Sequence, residues 1–121
     1  MNKYIIISKG PELLRVPTDC LMYVEAQGNY SNVVTQDGKQ HLVSLQLGAI
    51  EDLIAEQLEE TPLVRLGRSL IINTDFIYLI DETRQQLVLS DCRNSYHALK
   101  ASKEVLSKFK DYMLYQLNRK S

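Results

Sequence analysis

The chain has 121 residues, a formal net charge of −1, 45% hydrophobic residues and 24% charged residues, which suits one soluble globular domain with a modest core and leaves no room for a second. No apolar run approaches the roughly 18 residues that a membrane-spanning helix needs. The run Tyr4–Ile7 is too short for the centre of a secretory signal and no small-residue cleavage site follows it, so a cytoplasmic protein is expected.

Short strands separated by turns follow in chain order. Tyr4–Ile7 and Glu12–Val16 flank Gly10-Pro11, and Cys20–Glu25 reads as a strand broken by Ala26-Gln27-Gly28-Asn29. Tyr30–Thr35 and Lys39–Val43 flank Asp37-Gly38, a dipeptide that supplies the positive-φ positions of a tight hairpin turn. Leu47, Ile50, Leu53, Ile54 and Leu58 recur at helical spacing, with Ser44 as the expected N-cap and Pro62 beyond the end. Leu63–Leu66 and Leu70–Asn73 are apolar and interrupted by Gly67-Arg68. Phe76–Ile80 pairs with Gln86–Ser90 across the polar turn Asp81-Glu82-Thr83-Arg84. After Asn94–Tyr96 the pattern becomes a long terminal helix from Lys100 onward. Val105, Leu106, Phe109, Tyr112, Met113 and Leu117 form one face of it, opposite Lys103, Lys108, Lys110 and Asp111. That face is either core or a surface for a second protomer. The expected fold is mainly antiparallel β, with one small internal helix and a C-terminal helix.

Chemistry-bearing motifs are few. No Gly-rich phosphate loop, G-x-S-x-G elbow or H-E-x-x-H pattern is present, and His41 and His97 stand in no nucleophile signature, so no enzyme is expected. Cys20 and Cys92 are not spaced as metal ligands and each lies beside β-like apolar sequence. Free, partly buried thiols are expected rather than a disulfide, with no metal or other cofactor and no small-molecule substrate.

Charge is unevenly divided. Residues 1–62 carry four Lys/Arg and nine Asp/Glu, −5; residues 63–121 carry ten and six, +4. A basic half suits an anionic partner. On charge alone a dipolar solvated surface is the favoured account, and a pI near 6.1 is low for a nucleic-acid binder.

The order of polar residues between the strands carries more. Val24-Glu25-Ala26-Gln27-Gly28-Asn29-Tyr30-Ser31-Asn32-Val33-Val34-Thr35 and Leu63-Val64-Arg65-Leu66-Gly67-Arg68-Ser69-Leu70-Ile71-Ile72-Asn73, followed by Phe76-Ile77, resemble the two signature stretches of LytTR DNA-binding domains. The resemblance covers about residues 5–105. It implies an elongated fold of antiparallel sheets whose loops enter successive major grooves, with promoter repeats as the expected target. A receiver domain often precedes this domain in the family; with Met1 almost at the first strand, a stand-alone regulator or a cut-out domain without a receiver is expected here. Carried over by position, Asn29, Tyr30, Ser31 and Asn32 form the first contact loop, with Ser31 nearest the groove-facing position. Arg68 and Ser69 form the second, and Lys100 the third. Arg offers a planar donor fork for guanine or phosphate and Asn pairs with adenine, whereas Ser69 and Lys100 suit phosphates. The chain departs from the family in having Leu63-Val64 where an aromatic is usual, Gly67 where a polar side chain is usual, and Lys100 where Ser-Arg is usual.

Other readings of the same residues stay open. Arg68 also fits a surface cation beside Asp75 or Glu82, and Arg65 fits a salt bridge as well as a DNA contact. Tyr30 suits strand-end packing, Glu25 a structural or solvated carboxylate, and Asn73 a hydrogen bond to the turn before Phe76. Duplex DNA binding, with the chain acting as tandem copies or a homodimer, is the leading function. A protein-interaction or sensor-output module of the same fold is the alternative.

Overall fold

The computed structural model describes residues 3–120, with side chains described for 3–118. The chain divides into two compact units, Met1–Asp75 and Phe76–Ser121.

In the first unit, β1 (Tyr4–Lys9) and β2 (Glu12–Pro17) form an antiparallel hairpin. β3 (Leu21–Gln27), β4 (Tyr30–Thr35), β5 (Gln40–Val43), β6 (Leu63–Leu66) and β7 (Leu70–Asn73) build a five-stranded antiparallel sheet in the order β5-β4-β3-β7-β6. Between β5 and β6 runs α1 (Leu47–Gln57). The core follows from the apolar pattern: Ile5 and Ile7 of β1, Val24 and Val33 of the sheet, and Leu47, Ile50 and Ile54 of α1 form one buried cluster. A register shift between Leu21 and Tyr23 inserts one residue, which breaks strict alternation and brings both Leu21 and Val24 into that cluster. The unpaired backbone of β1 is covered by the Gln57 amide, whose Nε2 donates to Ile6 O and whose Oε1 accepts from Ile6 N, both at 2.8 Å. The outward backbone groups of Ile6 on that edge are thereby satisfied.

Asn73 is completely buried. Its Nδ2 donates to Thr18 O (2.9 Å) and Leu21 O (2.8 Å), and its Oδ1 accepts from Asp75 N (2.9 Å). The expected bond to the turn before Phe76 is present, and the same amide also ties down the β2–β3 connection.

The second unit opens after a 3-10 turn, Thr74–Phe76. β8 (Ile77–Asp81), β9 (Gln86–Ser90) and β10 (Tyr96–Lys100) form a sheet in the order β10-β9-β8, followed by α2 (Lys103–Lys120). Leu87, Val88 and Leu89 of β9, Leu99 of β10, and Leu106 and Phe109 of α2 are buried.

Four expectations need correction. β10 was not expected: residues 96–100 pair along β9 from Tyr96↔Ser90 to Lys100↔Gln86, so Lys100 ends a strand and the helix begins three residues later, with Ser102 Oγ accepting from Val105 N. Gln46, not Ser44, is the N-cap of α1, and it makes no side-chain cap bond. The Asp37-Gly38 turn is a three-residue loop closed by Thr35 N to Lys39 O (3.1 Å), with only Gly38 at positive φ (+84°). Both thiols are free, but Cys92 is exposed.

Candidate nucleic-acid interface

Antiparallel pairing brings three connections to one end of the five-stranded sheet. Gln27 faces Tyr30 across a two-residue hairpin, Gly28-Asn29. Gly28 has φ +63° and Asn29 does not have positive φ, which is the pattern of a type II′ turn, where glycine takes the first central position without steric cost. On the other side of β3, Glu25 faces Leu70 and Ala26 N donates to Ser69 O at 2.8 Å. The loop Gly67-Arg68-Ser69 between β6 and β7 is therefore held against β3. The third connection, 44–46, leads from β5 into α1. β4 and β7 flank β3, which sets their ends about 10 Å apart at the usual strand spacing, less than the roughly 12 Å width of a B-DNA major groove.

Each loop is braced from within the unit. Gln46 Nε2 donates to Asn29 Oδ1 (3.2 Å), leaving the Asn29 amide nitrogen outside that bond. Arg65 holds the 67–69 loop from β6: Nε donates to Gly67 O (3.0 Å), Nη2 to Arg68 O (3.2 Å), and Nη1 pairs with Glu51 Oε1 of α1 (2.9 Å). Of the two readings open for Arg65 in the sequence, the salt bridge is the one observed. Gly67, at φ +64°, supplies the left-handed backbone that starts this loop.

The sequence-derived residues fall into distinct settings. Asn29, Arg68 and Ser69 are exposed, and Tyr30 is 46% exposed. Ser31 is completely buried, its Oγ donating to Leu45 O at 2.7 Å. Asn32 is also buried, and its Nδ2 donates to Gln40 Oε1 at 2.9 Å. Both side chains are thus committed inside the protein, Ser31 tying β4 to the connection before α1. Lys100 lies in the second unit, exposed at the end of β10. Arg68 makes no ion pair among the described residues, and Glu82 is engaged by Lys110 instead. Glu25 is half-buried on β3, two residues short of the strand end. Among the described residues no group of His, Cys, Asp or Glu could hold a metal ion, and no helix is long and apolar enough to cross a membrane.

Sequence reasoning missed Gln46 altogether. No local signal marks it, because its role is set by residue 29, seventeen positions away.

An antiparallel sheet that ends in braced polar hairpins, with an uncommitted guanidinium at one tip, defines a β domain suited to an anionic partner. The chain belongs to the LytTr DNA-binding domain family, whose model matches residues 12–114. It is accordingly a DNA-binding domain. Among solved structures it is similar to the LytTr DNA-binding domain of a chain assigned as a methyl-accepting/DNA response regulator from Bacillus cereus. The TM-score is 0.62 and the identity 20%, covering 93% of this chain and 98% of that one. At that identity the likeness is one of fold. No curated protein matches the chain.

Proposed function

We propose that this chain is a sequence-specific transcriptional regulator of the cytoplasm that reads the major groove of duplex DNA through the 28–30 and 67–69 loops. Arg68 carries the reading. Its backbone is fixed by Arg65 and, through Ser69, by β3, while its side chain is exposed and without an ion-pair partner among the described residues. A guanidinium held in that way can meet guanine O6 and N7 in a bidentate manner. Asn29 and Tyr30 face solvent at the neighbouring hairpin and supply an amide and a phenol beside it. Ser69 and Lys100 are assigned to phosphates, which fix register without reading sequence. Ser31 and Asn32 shape the first loop from beneath, since Ser31 Oγ is bonded to Leu45 O before α1 and Asn32 Nδ2 to Gln40 Oε1 of β5. Promoter repeats, occupied by tandem copies or a homodimer, are the proposed targets.

Selection from a randomised duplex pool at low and physiological salt tests this reading. Enrichment of a defined motif whose binding weakens with salt is the expected result. Absence of any enriched motif overturns it and returns the chain to the protein-interaction alternative.

A further inference from the structure

Outside the loops just described, exposed cations gather at one end of the three-stranded sheet. Lys100 faces Gln86 across the β9–β10 ladder, and Ala101 N donates to Gln85 O at 3.3 Å. The carboxyl end of β10 therefore lies beside the turn that joins β8 to β9. That turn presents Arg84, whose backbone N donates to Asp81 Oδ1 at 3.0 Å and whose side chain is 80% exposed. Lys103, the first residue of α2, is exposed and follows Lys100 by three positions.

The acidic groups facing this end are largely occupied. Glu82 is bonded to Lys110, Glu104 pairs with Lys108 at 3.4 Å, and Asp81 reaches Arg84 only at 3.9 Å. Counting Arg84, Lys100, Lys103, Lys108 and Lys110 against Asp81, Glu82, Glu104 and Asp111 leaves +1 in a chain whose total is −1. An exposed arginine fork beside lysine point charges, on a turn fixed by backbone bonds, matches the chemistry of a phosphodiester backbone.

We propose that Arg84 and Lys103 complete, with Lys100, a phosphate-contacting edge on the second unit. The inference rests on the DNA-binding reading above and adds two residues to it. The edge gives affinity and register and carries no base preference.

The test is the salt dependence of binding to the duplex enriched by selection, for the intact chain, Arg84→Gln, Lys103→Gln and the double variant. Arg93→Gln serves as control, because the 91–95 loop lies at the opposite end of the same sheet, where Ser90 faces Tyr96. Each substitution is expected to lower the magnitude of the slope of log K against log salt by about 1, and the double variant by about 2, with the preferred motif unchanged. The control is expected to keep the wild-type slope. A double variant with the wild-type slope overturns the proposed edge alone, as does a loss confined to Arg93→Gln. A wild-type chain that enriches no duplex overturns the regulator reading and this edge with it.

Discussion

Replacing Arg65 by Met removes a cation that should never touch DNA, yet it should weaken DNA binding through Arg68. The substitution keeps the stem length and removes three bonds: two to carbonyls of the 67–69 loop and one to Glu51. Net contributions of such bonds run to about 1 kcal/mol each. The Arg65 and Glu51 side chains are 29% and 50% exposed, so water takes over part of the loss. A stability cost of about 1–2 kcal/mol follows. The loop remains pinned at Ser69 but loses its hold at Gly67 and Arg68, so Arg68 must be ordered anew on binding. We expect a loss of about 1 kcal/mol in affinity, roughly fivefold. A double-mutant cycle with Arg68→Ala, measured as equilibrium binding to the selected duplex, isolates the route. If Arg65 acts only by placing Arg68, its loss should be nearly silent once Arg68 is gone, adding less than about 0.5 kcal/mol. Full additivity of the two losses would refute the positioning role and make Arg65 a contact in its own right.

Three further outcomes follow from the bonding pattern. Asn73→Asp should be more destabilising than Asn73→Ala in urea unfolding near neutral pH, because a carboxylate would face the Thr18 and Leu21 carbonyls. The alanine variant should itself lose about 3 kcal/mol by stranding three backbone groups, and an aspartate variant of equal or greater stability would contradict that bonding. Ser31→Ala should cost about 1–3 kcal/mol by leaving Leu45 O unpaired while keeping the selected DNA motif, and a changed base preference would show that Ser31 reaches the groove. Backbone N–H groups of Ser95 and Arg93, and then Asn94, hold the Asp91 carboxyl below its ordinary 3.8. A depressed folded-state value stabilises the loop above the ordinary carboxylate range, and that support is lost as pH falls through the folded value. Amide exchange at 93–95 should therefore lose protection below about pH 4, and Asp91→Asn should remove that step; a step that survives in the variant would assign it elsewhere.

Much of this molecule was legible in its residues, for local reasons. The apolar spacing Leu47–Ile50–Ile54 belongs to a helix whatever it packs against, and Gly67-Arg68 interrupts two β-branched and leucine-rich runs where a turn must fall. β10 was hidden because Ala98-Leu99-Lys100-Ala101 has good intrinsic helix propensity, and only pairing with β9 makes it a strand. Ser44 looked like a cap because of its type, but β5 ends at Val43 and the bend at 44–45 delays the first helical turn to Leu47, leaving Gln46 at the cap. The candidate contacts divide along the same line. Arg68 was visible as a cation in a turn. Whether the polar groups of Ser31 and Asn32 meet solvent or the fold depends on Leu45 and Gln40, fourteen and eight positions away, and no periodicity reports that distance.

The most direct measurement is the affinity of the wild-type chain and of Arg68→Ala for the selected duplex and for each of its single-base-pair variants. If Arg68 reads a guanine, wild type should lose about 1–3 kcal/mol when that base pair is changed, and Arg68→Ala should show that penalty flattened at that position alone. A variant that binds more weakly but keeps every base preference of the wild type would contradict the account, leaving Arg68 as a phosphate contact and the reading of sequence to other residues.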